Sequence, residues 1–502
     1  MKNPPDRRKE SYHDFLNTFS KTLKSVFYER DNLKRFILKR GFPALVLRDI
    51  MAQVPLSVAI PEEYGGRGVD VKECLGILET ASYESLPLSL IFGINIALFL
   101  EPVAKYAQPT IKDDLYRRFL NQQNMGGLMI TEPDYGSDAL NMRTFHIKKG
   151  SEYHVSGTKH WQGLTGMADY WLMTSRQKNE NGELARDIDF FICDVQQPGQ
   201  NIRVDEYYNN IGLFPVPYGK NIVDISVPEQ NKLKPVTTGL KLMMDLLHRS
   251  RLQFPGMAMG FLRRILDEAI KHCNSRIVAG RSLLSLDQVQ YQITKIQSAF
   301  TVCSAMCSRS ADISGIENNL SASSVEANSM KAYVTDLMQE SAQILTQLKG
   351  ANGYKIESLG ARGIVDSRPF QIFEGSNEML YTQIFENVEK LMTKLKTTNL
   401  LEFLKVYDRT ENVAGHFKSL LNFSLDVNIP QRKMIDLGKI ISKVISAGYV
   451  SELGAKGFRQ DLISNSIENI KHEISAVVNS FKFHHDVSPV VEYNDNSSWL
   501  AL

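Results

Sequence analysis

The feature that most limits this fold is a change of period. From Tyr12 to Leu120 apolar residues recur three and four positions apart, as in FLNTFSKTLKSVF, the spacing of an amphipathic helix. From Gly126 to about Leu233 the pattern turns to alternation and to β-branched and aromatic runs, in EYHVSGTKHW, YWLMTSR, DFFICDV and NIVDISV, which read as strands. KNENGEL supplies a hairpin-like turn between two of them. Helical spacing then returns in LKLMMDLLHRSRLQF, GFLRRILDEAIKHC and the segments around QYQITKIQSAFTVCSAM and MKAYVTDLMQESAQILTQL. Pro255 falls inside the first of these and, lacking an N–H, is expected to kink or split it.

The domains expected are therefore an N-terminal α-helical domain at 1–125, a middle β domain at 126–233, a helical domain at 234–396 and a helical extension at 397–502. IPEEYGGRGVD, Ile60 to Asp70, is a Pro- and Gly-rich connector within the first. The extension carries two apolar stripes. One is Met434, Leu437, Ile440, Ile441, Val444 and Ile445; the other is Ile463, Ile467, Ile470, Ile474, Val477, Val478 and Phe481. Packing on the rest of the protein is the favoured reading, with a partner or membrane surface as the alternative. VVEYNDNSSWLAL reads as a polar tail.

A net charge of +2 spread over 502 residues leaves no field of one sign, which argues against a nucleic-acid surface. Cys74, Cys193, Cys273, Cys303 and Cys307 lack metal-type spacing and read as reduced core thiols in a cytoplasmic setting; no metal site is expected. The basic start, MKNPPDRRKESYHDF, has no apolar stretch behind it and does not read as a secretory signal. The uncharged run Ser85 to Leu100 is interrupted by Pro87 and reads as a buried helix, short of a bilayer span.

Four stretches combine residues suited to chemistry, and each has a plainer structural reading. ITEPDYGSDAL, Ile130 to Leu140, is a surface loop, or a strand end whose small residues let a planar polar ligand approach the main chain. In GTKHWQGLTGMADYW, Trp161 is a core residue or a wall for a flat ring. GANG, after a helix ending at Gln347, is a C-cap that leaves amides and carbonyls for a ligand. In SRPFQIFEGSNEM, Glu374 is a solvated turn acid, or a base whose pKa Phe370, Ile372 and Phe373 raise by excluding water.

Taken in order, these stretches resemble the acyl-CoA dehydrogenase family. ITEPDYGSDA is similar to its TEP-x-x-GSD signature, GTKHW and the AD that follows to its GxKxWI element, QLKGANGY to Q-x-x-GG-x-GY, and FQIFEGSNE to IY-x-I-x-EG-[TS]-x-E. The likeness runs from roughly Leu16 to Met392 and includes the connector at Ile60. It implies a mainly α fold with a central β domain: an N-terminal helical domain, a middle β-barrel-like domain and a C-terminal four-helix bundle, here followed by the extra helical extension. It implies FAD and a homodimer or homotetramer, with an acyl thioester as substrate, either acyl-CoA or an acyl-carrier-protein thioester. An electron-transfer flavoprotein is the implied acceptor.

By the same resemblance, Leu128, Met129, Ile130, Thr131 and Ser137 would line the flavin, with Trp161, Gln162 and Gly163 against its ring; Gly163 stands where the family usually has Thr. Arg276 would reach the FAD pyrophosphate of a neighbouring subunit. Gln347, Gly350 and Ala351 would meet the adenosine end, and Ser376 and Glu378 would also touch the cofactor. Ser137, Arg251 and Gly375 would contact substrate, Arg251 near its CoA part. Glu374 matches the catalytic base that takes the α-proton while a β-hydride moves to flavin N5. Some members carry the base one residue before the bundle Arg; that residue here is Ser250, which cannot serve. Related oxidases, monooxygenases and desulfinases, and a non-enzymatic helical assembly factor, are the rival readings.

Overall fold

The computed structural model describes residues 10–29, 40–426, 428–483 and 488–501, so the reading of MKNPPDRRK falls outside the described residues. Among the described residues five helices come first: α1 (Tyr12–Lys24), α2 (Ala44–Met51), α3 (Val71–Glu84), α4 (Leu86–Tyr106) and α5 (Pro109–Gln122). Ser11, Asp70 and Ser85 each cap a helix, accepting from the N–H three residues on, which satisfies one of the donors a helix start leaves open. The run at Ser85 thus opens a 21-residue helix, longer than the uncharged run suggests. By length and composition it could cross a membrane, but its apolar window is 94% buried inside the protein. It is a core helix, with a π turn at Ile96–Leu100.

The middle domain is a curled seven-stranded sheet of β1 (Gly126–Met129), β2 (Phe145–Lys149), β3 (Glu152–His160), β4 (Tyr170–Gln177), β5 (Asp189–Asp194), β6 (Arg203–Tyr207) and β7 (Gly219–Pro228). Its hydrogen-bonded path runs β1-β4-β2-β3-β7-β6, with β5 pairing β4. β1 and β2 lie parallel to β4, and the remaining pairings are antiparallel. Alternation in β7 puts Val223, Ile225 and Val227 inside and Asp224 outside, as the period-2 rule requires.

Four long helices follow: α6 (Gly239–Ser275), α7 (Asp287–Ile313), α8 (Ser324–Lys349) and α10 (Asn377–Lys394), with the short α9 (Leu359–Ser367) before the last. A small hairpin, Ile277–Val278 with Arg281–Ser282, joins α6 to α7. Pro255 does not split α6, which runs on for 37 residues through it. The helix there is buried on every side. The Cys303 thiol donates to Pro255 O at 3.2 Å and the Ser310 hydroxyl to Leu252 O, so α7 packs closely on the turn that holds the proline. The extension adds α11 (Gln431–Ala455) and α12 (Gln460–Lys482). Most of both apolar stripes is buried: α11 lies on α7, α8 and α10, and α12 lies on α7 and α11.

Candidate active site

Glu374 sits in the turn between Arg368–Gln371 and α10, with φ of 53°, followed by Gly375 with φ of 94°. A left-handed residue with a side chain costs roughly 1–2 kcal/mol, so the surroundings must hold it there. Arg251, buried on α6, donates from Nε and Nη2 to Glu374 O at 3.1 and 2.8 Å. Its Nη1 donates to Asn328 Oδ1 at 2.6 Å. The structure therefore places Arg251 under the main chain of the turn.

Aromatic rings cluster beside the turn. Phe254 on α6 makes edge contacts with Phe370 and Phe373, both centroids 5.9 Å away, and Phe370–Phe373 are 5.0 Å apart. Ile372, expected to help keep Glu374 dry, is instead 57% exposed, whereas Phe254 is buried and packs on Phe373, the residue before Glu374. Ser250 donates to Glu374 Oε1 at 2.9 Å, whereas Oε2 is buried with no partner. Among the described residues no acceptor takes the Glu374 N–H. Burial raises the pKa of Glu374 above the ordinary glutamate value; the Arg251 charge, the Ser250 hydrogen bond and the Lys331 charge pull the other way and do not cancel it.

The first two motifs meet at the sheet. His160 N and Gln162 Nε2 both donate to Thr131 O at 3.0 Å, and Lys159 Nζ donates to Ile130 O at 3.0 Å. Thr174 Oγ1 donates to Met129 O at 2.9 Å. The carbonyls of Met129 to Thr131 are thus pinned, and Leu128 lies on β1 beside them. Beneath them Lys159, fully buried, pairs with Glu132 Oε1 at 2.8 Å. Burial lowers Lys159 to about 8. Glu132 is held below the usual carboxylate range because the Lys159 charge and hydrogen bonds from Lys159, Thr144 and Arg143 outweigh its burial. Trp161 is not core: it has φ of 60°, is 52% exposed and leans on Tyr208 at 4.4 Å. Gln162 is buried, its amide spent on Thr131 O and His160 O. A methyl on Gly163 would come within 2.8 Å of Ile94 Cδ1, so the turn rests against α4. Ser137 is exposed on the loop after Glu132.

The remaining candidates lie elsewhere. Ser376 is the N-cap of α10 but its hydroxyl makes no capping bond, and Glu378 is exposed in the first turn. Gln347, Gly350 and Ala351 are exposed at the far end of α8, where Gly350 has φ of 57°. Sixteen residues separate Gln347 from Lys331, which donates to Gly375 O in the Glu374 turn, so they are roughly 24 Å apart along the helix. Arg276 caps the end of α6, about 38 Å along it from Arg251. Within one subunit, Arg276 and the GANG element are not brought to Glu374.

The residues present fit a flat cofactor at the sheet edge: a half-open indole lies beside a pinned β1 end. Ser250, Phe254, Lys331 and the Lys159–Glu132 pair were not identified from sequence as parts of the site. Their signal was faint but present. Lys159 and Lys331 are lone charges on faces whose neighbours Val155 and Ala327 are apolar and buried, where a lysine is costly unless it has partners.

Three family models match the chain in order. "Acyl-CoA dehydrogenase, N-terminal domain" covers residues 27–123, the middle domain 127–224 and the C-terminal domain 237–389. An acyl-CoA dehydrogenase of Bacillus subtilis (strain 168) is 24% identical over 343 residues, 67% of this chain and 88% of its own. The caffeyl-CoA reductase-Etf complex subunit CarC of Acetobacterium woodii is 27% identical over 349 residues, 67% of this chain and 88% of its own. Among solved structures, an acyl-CoA dehydrogenase complexed with FAD from Bacillus anthracis gives a TM-score of 0.73 at 18% identity, covering 95% of this chain and 89% of that one.

Proposed function

The chain belongs to the acyl-CoA dehydrogenase family, and we propose that it oxidises the α,β-bond of an acyl thioester to a trans-2-enoyl thioester with Glu374 as the base. It is a flavin-dependent oxidoreductase whose cofactor is FAD. When bound, FAD supplies the hydride acceptor.

One observation carries the assignment of Glu374: a carboxylate oxygen that is buried and unpartnered, with the N–H of the same residue also unpaired. Ser250 holds the other oxygen, so Oε2 is the one that takes the α-proton. Desolvation raises its proton affinity, which brings it nearer the demand of a carbon acid. The Glu374 N–H is a donor for the thioester oxygen, where negative charge gathers as the proton leaves. The Phe254, Phe370 and Phe373 corner excludes water from this step. Met129 to Thr131, Trp161 and Ser376 would hold the flavin. Arg276, far along α6 and beside the exposed Ile277 and Val278, is read as serving a neighbouring subunit, which supports a homodimer or homotetramer. Electrons would pass to an electron-transfer flavoprotein, in keeping with the Etf-complex relative. The setting proposed is the cytoplasm, in keeping with five free cysteines.

The test is anaerobic bleaching of the FAD-loaded protein by acyl-CoA and acyl-carrier thioesters. Glu374→Gln is expected to keep FAD and bind thioester without bleaching. Retained bleaching defeats the assignment, and a protein that never takes up flavin defeats the reaction class.

A further inference from the structure

Two cations grip consecutive carbonyls of the catalytic turn. Arg251 holds Glu374 O, and Lys331 on α8 donates to Gly375 O at 2.7 Å. Lys331 is wholly buried; its second bond goes to Asn377 Oδ1 at 2.9 Å, and the Phe254 ring lies 5.9 Å from Nζ. Asn377 in turn donates to Ala332 O, Thr335 Oγ1 and Asp336 Oδ1 at 2.8–3.0 Å. Asp336 also accepts from Gln371 Nε2 and Tyr381 OH, both at 2.7 Å. The network thus spans the turn from Gln371 before the base to Tyr381 after it.

A buried ammonium is expensive, and an apolar side chain of this length would pack against Phe254 at lower cost. We propose that Lys331 is a positioning residue for the base, fixing the left-handed Glu374–Gly375 pair so that the carboxylate and the Glu374 N–H keep one geometry. This rests on the reading of Glu374 as the base. Lys331 touches neither substrate nor reacting atoms; it acts through Gly375 and Asn377, and through its charge. The charged groups that face it are Glu374 from the turn, Arg251 from α6 and Asp336 from its own helix. Burial brings it to about 7, with Glu374 opposing that fall. While protonated it lowers the pKa of Glu374.

The test compares Lys331→Met with the unaltered FAD-loaded protein, using butyryl-, octanoyl- and palmitoyl-CoA as bleaching probes across pH. Lys331→Met is expected to load FAD and keep KM within about threefold. Its kcat falls ~10- to 100-fold, and the acid limb of its pH profile moves up by about one unit. In the cofactor-free protein, amide exchange over residues 370–380 quickens about tenfold. A purely structural role would lower thermal stability and leave the acid limb in place. Unchanged kcat and an unmoved limb overturn the proposal. If Lys331→Met does not load FAD, Lys331→Gln decides: it keeps a donor but no charge, so its acid limb must still move, and an unmoved one overturns the proposal. Should the unaltered protein bleach with no probe, the reading of Glu374 falls and this inference with it; bleaching in the unaltered protein with an indifferent Lys331→Met removes only the role of Lys331.

Discussion

The Ser250 hydroxyl donates to Glu374 Oε1 at 2.9 Å, which leaves Oε2 as the carboxylate oxygen without a partner. This division of labour sets a direction. The hydrogen bond stabilises the ionised form, so removing it in Ser250→Ala raises the pKa of Glu374 further. A base works only when deprotonated, so activity that is lost as pH falls should be lost sooner. The acid limb of kcat is expected to move up by about one unit, with the alkaline plateau reduced less than tenfold. Stopped-flow bleaching across pH checks this, and an unmoved limb removes Ser250 from the site.

Lys159→Met breaks a fully buried pair and leaves Glu132 charged beneath the β1 end. Loss of one partner of a buried ion pair costs about 3–5 kcal/mol. Here Arg143 N and Thr144 N still donate to Glu132, at 2.5 and 3.0 Å, so the lower end of that range is expected. The carbonyl of Ile130 also loses a donor. FAD affinity should fall with stability, and a titration of the cofactor-free protein against a thermal melt separates the two. A variant with unchanged melting and unchanged FAD binding would show that the pair holds nothing.

Much of this architecture is legible from period and run alone, because the alternation in β3 and β7, the continuous apolar and aromatic runs of β4 and β5 and the three-four spacing in the helices follow from which faces are buried. The short strands β2 and β6 are not, since FHIKK and RVDEY are polar and become strands only by pairing with β3 and β7. Glu374 is legible through its motif, but its environment is not. Ile372 sits next to Phe373 in sequence yet faces outward, and Phe254, which packs on Phe373 beside Glu374, is more than a hundred residues away. Pro255 misleads for a similar reason: local chemistry says break, yet the helix is buried there on every side and packed closely by α7.

Glu101 gives a stability prediction with a definite sign. It is fully buried on α4, its two oxygens both accept from Gln253 Nε2, at 2.7 and 2.8 Å, and burial raises it to about 7. A carboxyl that binds its proton more tightly when folded makes the native state hold more protons than the unfolded chain between about pH 4.3 and 7. Stability is therefore expected to fall as pH rises through that window. Glu101→Gln removes the charge and keeps a carbonyl oxygen to accept from Gln253 Nε2. At pH 8 the variant should be more stable by ~1–3 kcal/mol, and at pH 4 about equal. Urea melts at the two pH values measure this, and equal differences at both would refute the buried charge.

The extension can be tested at a single atom. Gly438 on α11 lies so close to α10 that an added Cβ would fall 2.1 Å from Tyr381 O and 2.6 Å from Tyr381 C, both backbone atoms. On an exposed helix surface Gly→Ala stabilises by about 1 kcal/mol, because alanine loses less freedom on folding. At Gly438 the two helices must part instead, and overpacking of this kind costs about 1–3 kcal/mol. The contact should win, so Gly438→Ala is expected to lower stability. It also disturbs Tyr381, whose hydroxyl reaches Asp336 and through it Asn377 and the catalytic turn. The acid limb of activity should therefore shift along with the melting temperature. A stabilised Gly438→Ala would mean that α11 does not bear on α10, and the extension would then have no route to the base.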